Sequence, residues 1–207
     1  LCQLWKARGD KVIGTCRTSS PELDHLGIEI LDGLDVTSDE DVAGLAYWLG
    51  ERRIDVLILN AGILREGGSI LDASLDLKIL QEQIAVNAIA PVRLARTLVS
   101  FLSAGSKIAL ITSRMGSIAD NTSGGYYGYR MSKAALNAMG MSLARDLQAR
   151  QIAVVTLHPG YVRTDMTGHA GSIDAKEAAR LLTDRIDELT LATTGEFRHA
   201  NGERIPW

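Results

Sequence analysis

Tyr129 stands four residues before Lys133 in the stretch YYGYRMSKAALNAMG (126–140), and on a helix that spacing puts both side chains on one face. A phenol with a reference pKa of about 10 is a poor proton shuttle at neutral pH. A nearby ammonium favours the phenolate and lowers that value, and the same ammonium can hold a sugar hydroxyl of a bound cofactor. Ser113 closes the run KIALITS (107–113), and its hydroxyl can share the same substrate oxygen. Tyr129 as acid/base, Lys133 as its tuner and Ser113 as oxyanion stabiliser would reduce a carbonyl or oxidise an alcohol. Tyr126 and Tyr127 lack the lysine, being followed four residues later by Arg130 and Met131; packing in the first turn of the helix is the role expected of them. A lone YxxxK also arises by chance, on an amphipathic helix with aromatic residues at its start.

The elements that must position these groups alternate. Short apolar runs at 11–16, 28–36, 54–62, 107–113 and 152–160, with a last one at 195–200, read as strands. Several are apolar almost throughout, as strands buried on both faces of a parallel sheet are. Between them lie helical patterns: 38–53 with a Ser38 cap and an acidic first turn, 75–104 bent by Pro91, 126–151 and 174–189. Residues 1–5 read like the middle of a further helix. The alternation predicts an α/β fold, a doubly wound (Rossmann-type), mostly parallel sheet with helices on both faces, in one domain. Ligands of such sheets sit beyond the carboxyl ends of the strands. There the sequence gathers Arg17-Thr18, Asp35-Val36, Asn60-Ala61-Gly62, Thr112-Ser113 and Pro159-Gly160. Turns use the same residue types, so the weight rests on five strand ends together.

Composition narrows the classes. The 207 residues are 46% hydrophobic and 23% charged with a net charge of −3, ordinary globular values that argue against nucleic acid or an anionic membrane as partner. No run of about 18 apolar residues marks a membrane span. Two cysteines outside any CxxC suit a reducing, cytoplasmic setting. The four histidines have no metal-binding spacing. Ser113 and His158 as a hydrolase pair would need a G-x-S-x-G elbow, which is lacking.

Five ordered segments carry a resemblance: LILNAG, VNAIAP, ITSRMGSI, YRMSKAALN and HPGYVRTDM. Together they resemble the short-chain dehydrogenase/reductase family over nearly the whole chain, and the ending ANGERIPW is similar to its C-factor and sniffer-like carbonyl reductase branch. The resemblance implies Asn87, Ser113, Tyr129 and Lys133 as a catalytic tetrad, with Asn87 holding a water beside Lys133; otherwise Asn87 is a polar residue bending a long helix before Pro91. It implies Asn60, Ala61 and Gly62 along the adenosine, Asp35 at the adenine amino group with Val36 against the ring, and Tyr129 and Lys133 at the cofactor as well. Pro159, Gly160, Val162 and Thr164 would clasp the nicotinamide and its phosphates. Arg17, where an acidic residue would bind a ribose hydroxyl, suits a 2′-phosphate, so NADP(H) is expected over NAD(H).

The family's first strand and its TGxxxGxG turn have no counterpart: none of the 20 glycines forms a G-x-G pair. In the family's strand order, 3-2-1-4-5-6-7, that strand is central. Its loss would bare two apolar edges, so the strand and turn are expected to belong to the natural protein outside this sequence; a natively short chain is the alternative. The leading reading is an NAD(P)(H)-dependent oxidoreductase acting on a small carbonyl or alcohol bounded by 63–70, 115–125 and the stretch after Met166. A reductase-like fold used for signalling or interaction is the competing one. A homodimer or homotetramer is expected through helices 75–104 and 126–151, on Leu75, Leu77, Ile79 and Leu80 and on Met139, Met141, Leu143 and Leu147.

Overall fold

The computed structural model describes every residue except Asp72. Its elements in chain order are α1 (Cys2–Ala7), β1 (Ile13–Thr15), α2 (Pro21–Asp24), β2 (Glu29–Leu31), α3 (Asp39–Leu49), β3 (Ile54–Leu59), α4 (Leu77–Ile84), α5 (Ala90–Leu98), β4 (Leu102–Ile111), α6 (Tyr127–Leu147), β5 (Ala153–His158), α7 (Ala175–Asp187) and β6 (Glu196–His199). Caps explain several starts. Ser38 accepts from Asp41 N–H at α3, Asp76 from Lys78 N–H at α4, and Asp174 from Glu177 N–H at α7. Each satisfies an amide that a helix start leaves without a partner. The short α2, which periodicity does not reveal, is opened by Ser20 with Pro21 in its first turn.

Every strand pair is parallel. β3, β4, β5 and β6 form one sheet in that order, and β1 and β2 form another. Among the described residues no ladder joins β1 to β3. The division falls where the resemblance places the family's central strand, and Val56, Leu57 and Ile58 of β3 are only half-buried beside it. In β4, Ile108 and Leu110 enter one core and Ala109 and Ile111 the other, as alternation across a pleated strand requires. The first core takes Val42, Leu45 and Leu49 of α3, Leu94 and Leu98 of α5, and Leu136, Ala144 and Leu147 of α6. The second takes Leu182 and Ile186 of α7, with Leu1 and Trp5 packed against it. Trp5 Nε1 donates to Thr183 Oγ1 at 3.0 Å and fastens α1 to α7. The result is three layers, α/β/α, with helices on both faces.

The stretch expected to be one helix over 75–104 is different in two ways. It ends at a 3-10 turn, Val99–Phe101, and residues 102–104 already belong to β4. The irregularity lies one turn before Pro91: Ala85–Ile89 form a π-helical turn in which Ala90 N–H reaches the Ala85 carbonyl. Pro91 has no N–H for the carbonyl four residues back, which is Asn87's, and the ladder opens just ahead of it. By length and composition Leu77–Phe101 could cross a membrane. Here Leu94 and Leu98 sit in the core, and Gln83 and Asn87 are buried, while Leu77, Ile89 and Val92 stay exposed.

Candidate active site

The widened turn presents Asn87 sideways. Its Oδ1 accepts from Ile63 N–H at 2.8 Å, and its Nδ2 donates to the Ile63 carbonyl at 2.8 Å and to Ser132 Oγ at 3.0 Å. Ser132 in turn donates to the Tyr129 carbonyl at 2.8 Å. One fully buried amide therefore joins the loop after β3 to the helix carrying Tyr129 and Lys133. Gln83, one turn earlier and also buried, ties the same loop to α4 by accepting from Arg65 N–H at 3.1 Å.

Tyr129, Lys133 and Ser113 are all buried, at 8%, 4% and 8% exposure. Ser113 caps the turn Arg114–Gly116 through Met115 N–H at 3.2 Å. The turn can lie on α6 because Gly116 has no side chain: a Cβ there would stand 2.7 Å from the Lys133 carbonyl carbon. Gly62 performs the same service after β3, where a Cβ would be 3.3 Å from both Asn87 Oδ1 and Lys133 Nζ. Two strand ends thus meet one helix face, and the four residues Asn87, Ser113, Tyr129 and Lys133 come together.

Lys133 Nζ donates to the Ile111 carbonyl at 3.0 Å and lies 5.7 Å from the Tyr129 ring centre. Burial pulls its pKa down to about 8. The Tyr129 pKa is raised by burial, with the hydroxyl of Ser113 acting in the opposite sense. This corrects the expectation that Lys133 lowers the phenol: desolvation wins, and the ammonium faces the ring and a carbonyl rather than leading the titration. A second correction concerns Tyr126, which does not pack. It is 43% exposed with φ at +50°, and its hydroxyl approaches Glu66 Oε1 at 3.4 Å.

The remaining candidates lie at the same edge of the sheet, since all strands run parallel. Arg17 and Thr18 line an open recess after β1. Asp35 follows β2; hydrogen bonds to Thr37 Oγ1 and N–H hold its carboxyl below the usual range, with a smaller contribution from Arg17. Val36 packs on the core rather than standing clear of it. Asn60 and Ala61 are exposed at the end of β3. Pro159 and Gly160 follow β5, with Gly160 at φ +94°, a conformation that favours glycine. A Cβ on it would stand 3.0 Å from Ile173 Cδ1. Val162 bridges to Ile173, and Thr164 N–H donates to Thr167 Oγ1. His158 meets His199 edge-on at 4.9 Å, and burial drives its pKa to about 3. Among the described residues no group of three or more potential ligands could hold a metal.

Sequence reading missed Gln83, Ser132 and Arg130. Their signal was a polar residue on an otherwise apolar helix face, but their partners are backbone atoms or residues far away in the chain.

A family model described as enoyl-(acyl carrier protein) reductase matches residues 8–191. The 1-hydroxy-2-glutathionyl-2-methyl-3-butene dehydrogenase of Rhodococcus sp. (strain AD45) is 39% identical over 208 residues, covering 97% of this chain and 90% of that one. The structure of the carbonyl reductase Sniffer of D. melanogaster has a TM-score of 0.88 at 30% identity, covering 94% of this chain and 87% of its own. A short-chain dehydrogenase/reductase of Burkholderia multivorans with bound NADP gives 0.87 at 30% identity, covering 99% and 91%. By the span of the family model and the identity to its relatives, this chain belongs to the short-chain dehydrogenase/reductase family of nicotinamide-dependent oxidoreductases.

Proposed function

We propose that the chain interconverts a small carbonyl compound and its alcohol, with Tyr129 giving or taking the proton. The observation that carries this reading is the buried Tyr129 phenol under the influence of Ser113, with Lys133 against the same ring. The names of the relatives agree in kind: one is a dehydrogenase of an alcohol, another a carbonyl reductase.

The donor set fits a nicotinamide cofactor. Arg17 and Thr18 would take a ribose phosphate, which favours NADP(H) over NAD(H), Asp35 and Asn60 would border the adenosine, and Lys133 would hold ribose hydroxyls. Pro159, Gly160, Val162 and Thr164 would border the nicotinamide. When bound, the nicotinamide supplies hydride to the carbonyl carbon or takes it from the alcohol. Tyr129, its pKa raised by burial, stays protonated at neutral pH and is ready to give its proton to the substrate oxygen. Ser113 donates to that oxygen and steadies the charge gathering on it. Asn87 holds the helix and the loop after β3 in register, so that the two hydroxyls converge. Water is kept from the phenol by its burial.

Oxidation of NADPH with a panel of aldehydes and ketones tests this directly. Ser113→Ala should lower kcat by about 10²–10³, as loss of one oxyanion donor does, with NADPH affinity unchanged. Unaltered turnover would overturn the assignment.

A further inference from the structure

Arg130 directly follows Tyr129 and spends its guanidinium on one loop. Nε donates to the Gly124 carbonyl at 3.3 Å, Nη1 to the Met115 carbonyl at 3.4 Å and Nη2 to Ser123 Oγ at 2.9 Å. Among the described residues it pairs with no carboxylate.

The loop needs such a partner. Its first half is fixed elsewhere: Arg114 pairs with Glu203, and Ala119 N–H donates to the Trp207 carbonyl at 3.0 Å. In its second half, Asn121 and Gly124 bond only within the loop. Among the described residues, the hydrogen bonds that tie 121–125 to the rest of the protein all come from Arg130. The chain then passes through three successive left-handed residues, Gly124, Gly125 and Tyr126, at φ +65°, +65° and +50°. For Tyr126 that conformation carries strain, which persists where surrounding contacts impose it. It ends three residues before Tyr129.

We propose that Arg130 is a positioning residue for substrate: it clasps 121–125 onto α6 and so sets the wall beside the Tyr129 and Ser113 hydroxyls. The inference rests on the reading of those two as the reacting centre. It assigns Arg130 no contact with the reacting atoms. Its loss releases the wall while leaving the proton path intact.

Arg130→Met keeps the length of the side chain and removes all donors. With benzaldehyde and NADPH it should raise KM for the aldehyde about tenfold, as lost hydrogen bonds do, with kcat at saturation within about twofold and NADPH affinity unchanged. Arg130→Lys, with one nitrogen, should fall between the two. Hydrogen exchange on the full chain supplies a readout free of turnover: peptides from 115–125 should exchange about tenfold faster in Arg130→Met, and those of β4 and β5 as before. Unchanged exchange in the loop, or a collapse of kcat with KM unmoved, would overturn the clasp. Should Tyr129→Phe retain full activity, the reacting centre is misassigned, and the exchange result decides the clasp by itself.

Discussion

Lys133 Nζ holds the Ile111 carbonyl at 3.0 Å while lying 5.7 Å from the centre of the Tyr129 ring. The same ammonium is therefore both anchored to the end of β4 and set beside the phenol. Burial makes this position costly, and it is burial that lowers the Lys133 pKa to about 8 from 10.5.

That cost has a pH signature. Below pH 8 lysine 133 is charged in both folded and unfolded chains, and the fold bears the desolvation. Between about 8 and 10.5 the unfolded chain binds the extra proton, so stability rises with pH. Relative to Lys133→Met, the wild-type chain should gain on the order of 3 kcal/mol across that window. Urea unfolding of both proteins from pH 7 to 10.5 measures the difference. A flat difference would mean that the amine is not desolvated as described.

Arg17 in its open recess with Thr18 should select the cofactor. Arg17→Asp removes a partner for a 2′-phosphate and offers an acceptor to a ribose hydroxyl. The ratio of kcat/KM for NADPH to that for NADH should fall by at least about tenfold, the worth of one charge-assisted hydrogen bond. An unchanged ratio would remove Arg17 from the selection.

A homodimer or larger assembly is proposed through the outer faces of α4–α5 and α6. The apolar set differs from the one periodicity suggests. Leu147 is in the core, and Met139 and Leu143 pack against it, because the second half of α6 lies on the sheet. Leu77 is exposed as expected, and Ile89, Val92 and Met131 join it, each about half or more uncovered. Light scattering at tens of micromolar should give at least twice the chain mass, reduced to that of the monomer by Ile89→Asp with Met131→Asp. A monomer mass for the wild type would refute it.

The strands were legible because β4 and β5 are apolar on both faces, and Ser38 announced α3. The register of the long helix was not: Pro91 suggested a bend at itself, whereas the missing N–H of Pro91 opens the ladder one turn earlier, around Asn87. The i, i+4 spacing was enough to place Tyr129 with Lys133. The sign of the Tyr129 shift was beyond it, since burial depends on how closely Gly116 and Gly62 let the loops approach. Arg130 was hidden for a related reason: two of its three partners are carbonyls, which a one-letter sequence does not display.

The central claim is that Tyr129, alone among the three neighbouring tyrosines, handles the proton. Single-turnover reduction of an aldehyde by NADPH, compared for Tyr129→Phe and Tyr126→Phe, tests it most directly. Tyr129→Phe should slow the step by about 10²–10⁴, the range of acid–base catalysis, with NADPH binding nearly intact, and Tyr126→Phe should be close to neutral. Equal losses in the two variants, or full activity in Tyr129→Phe, would contradict the account.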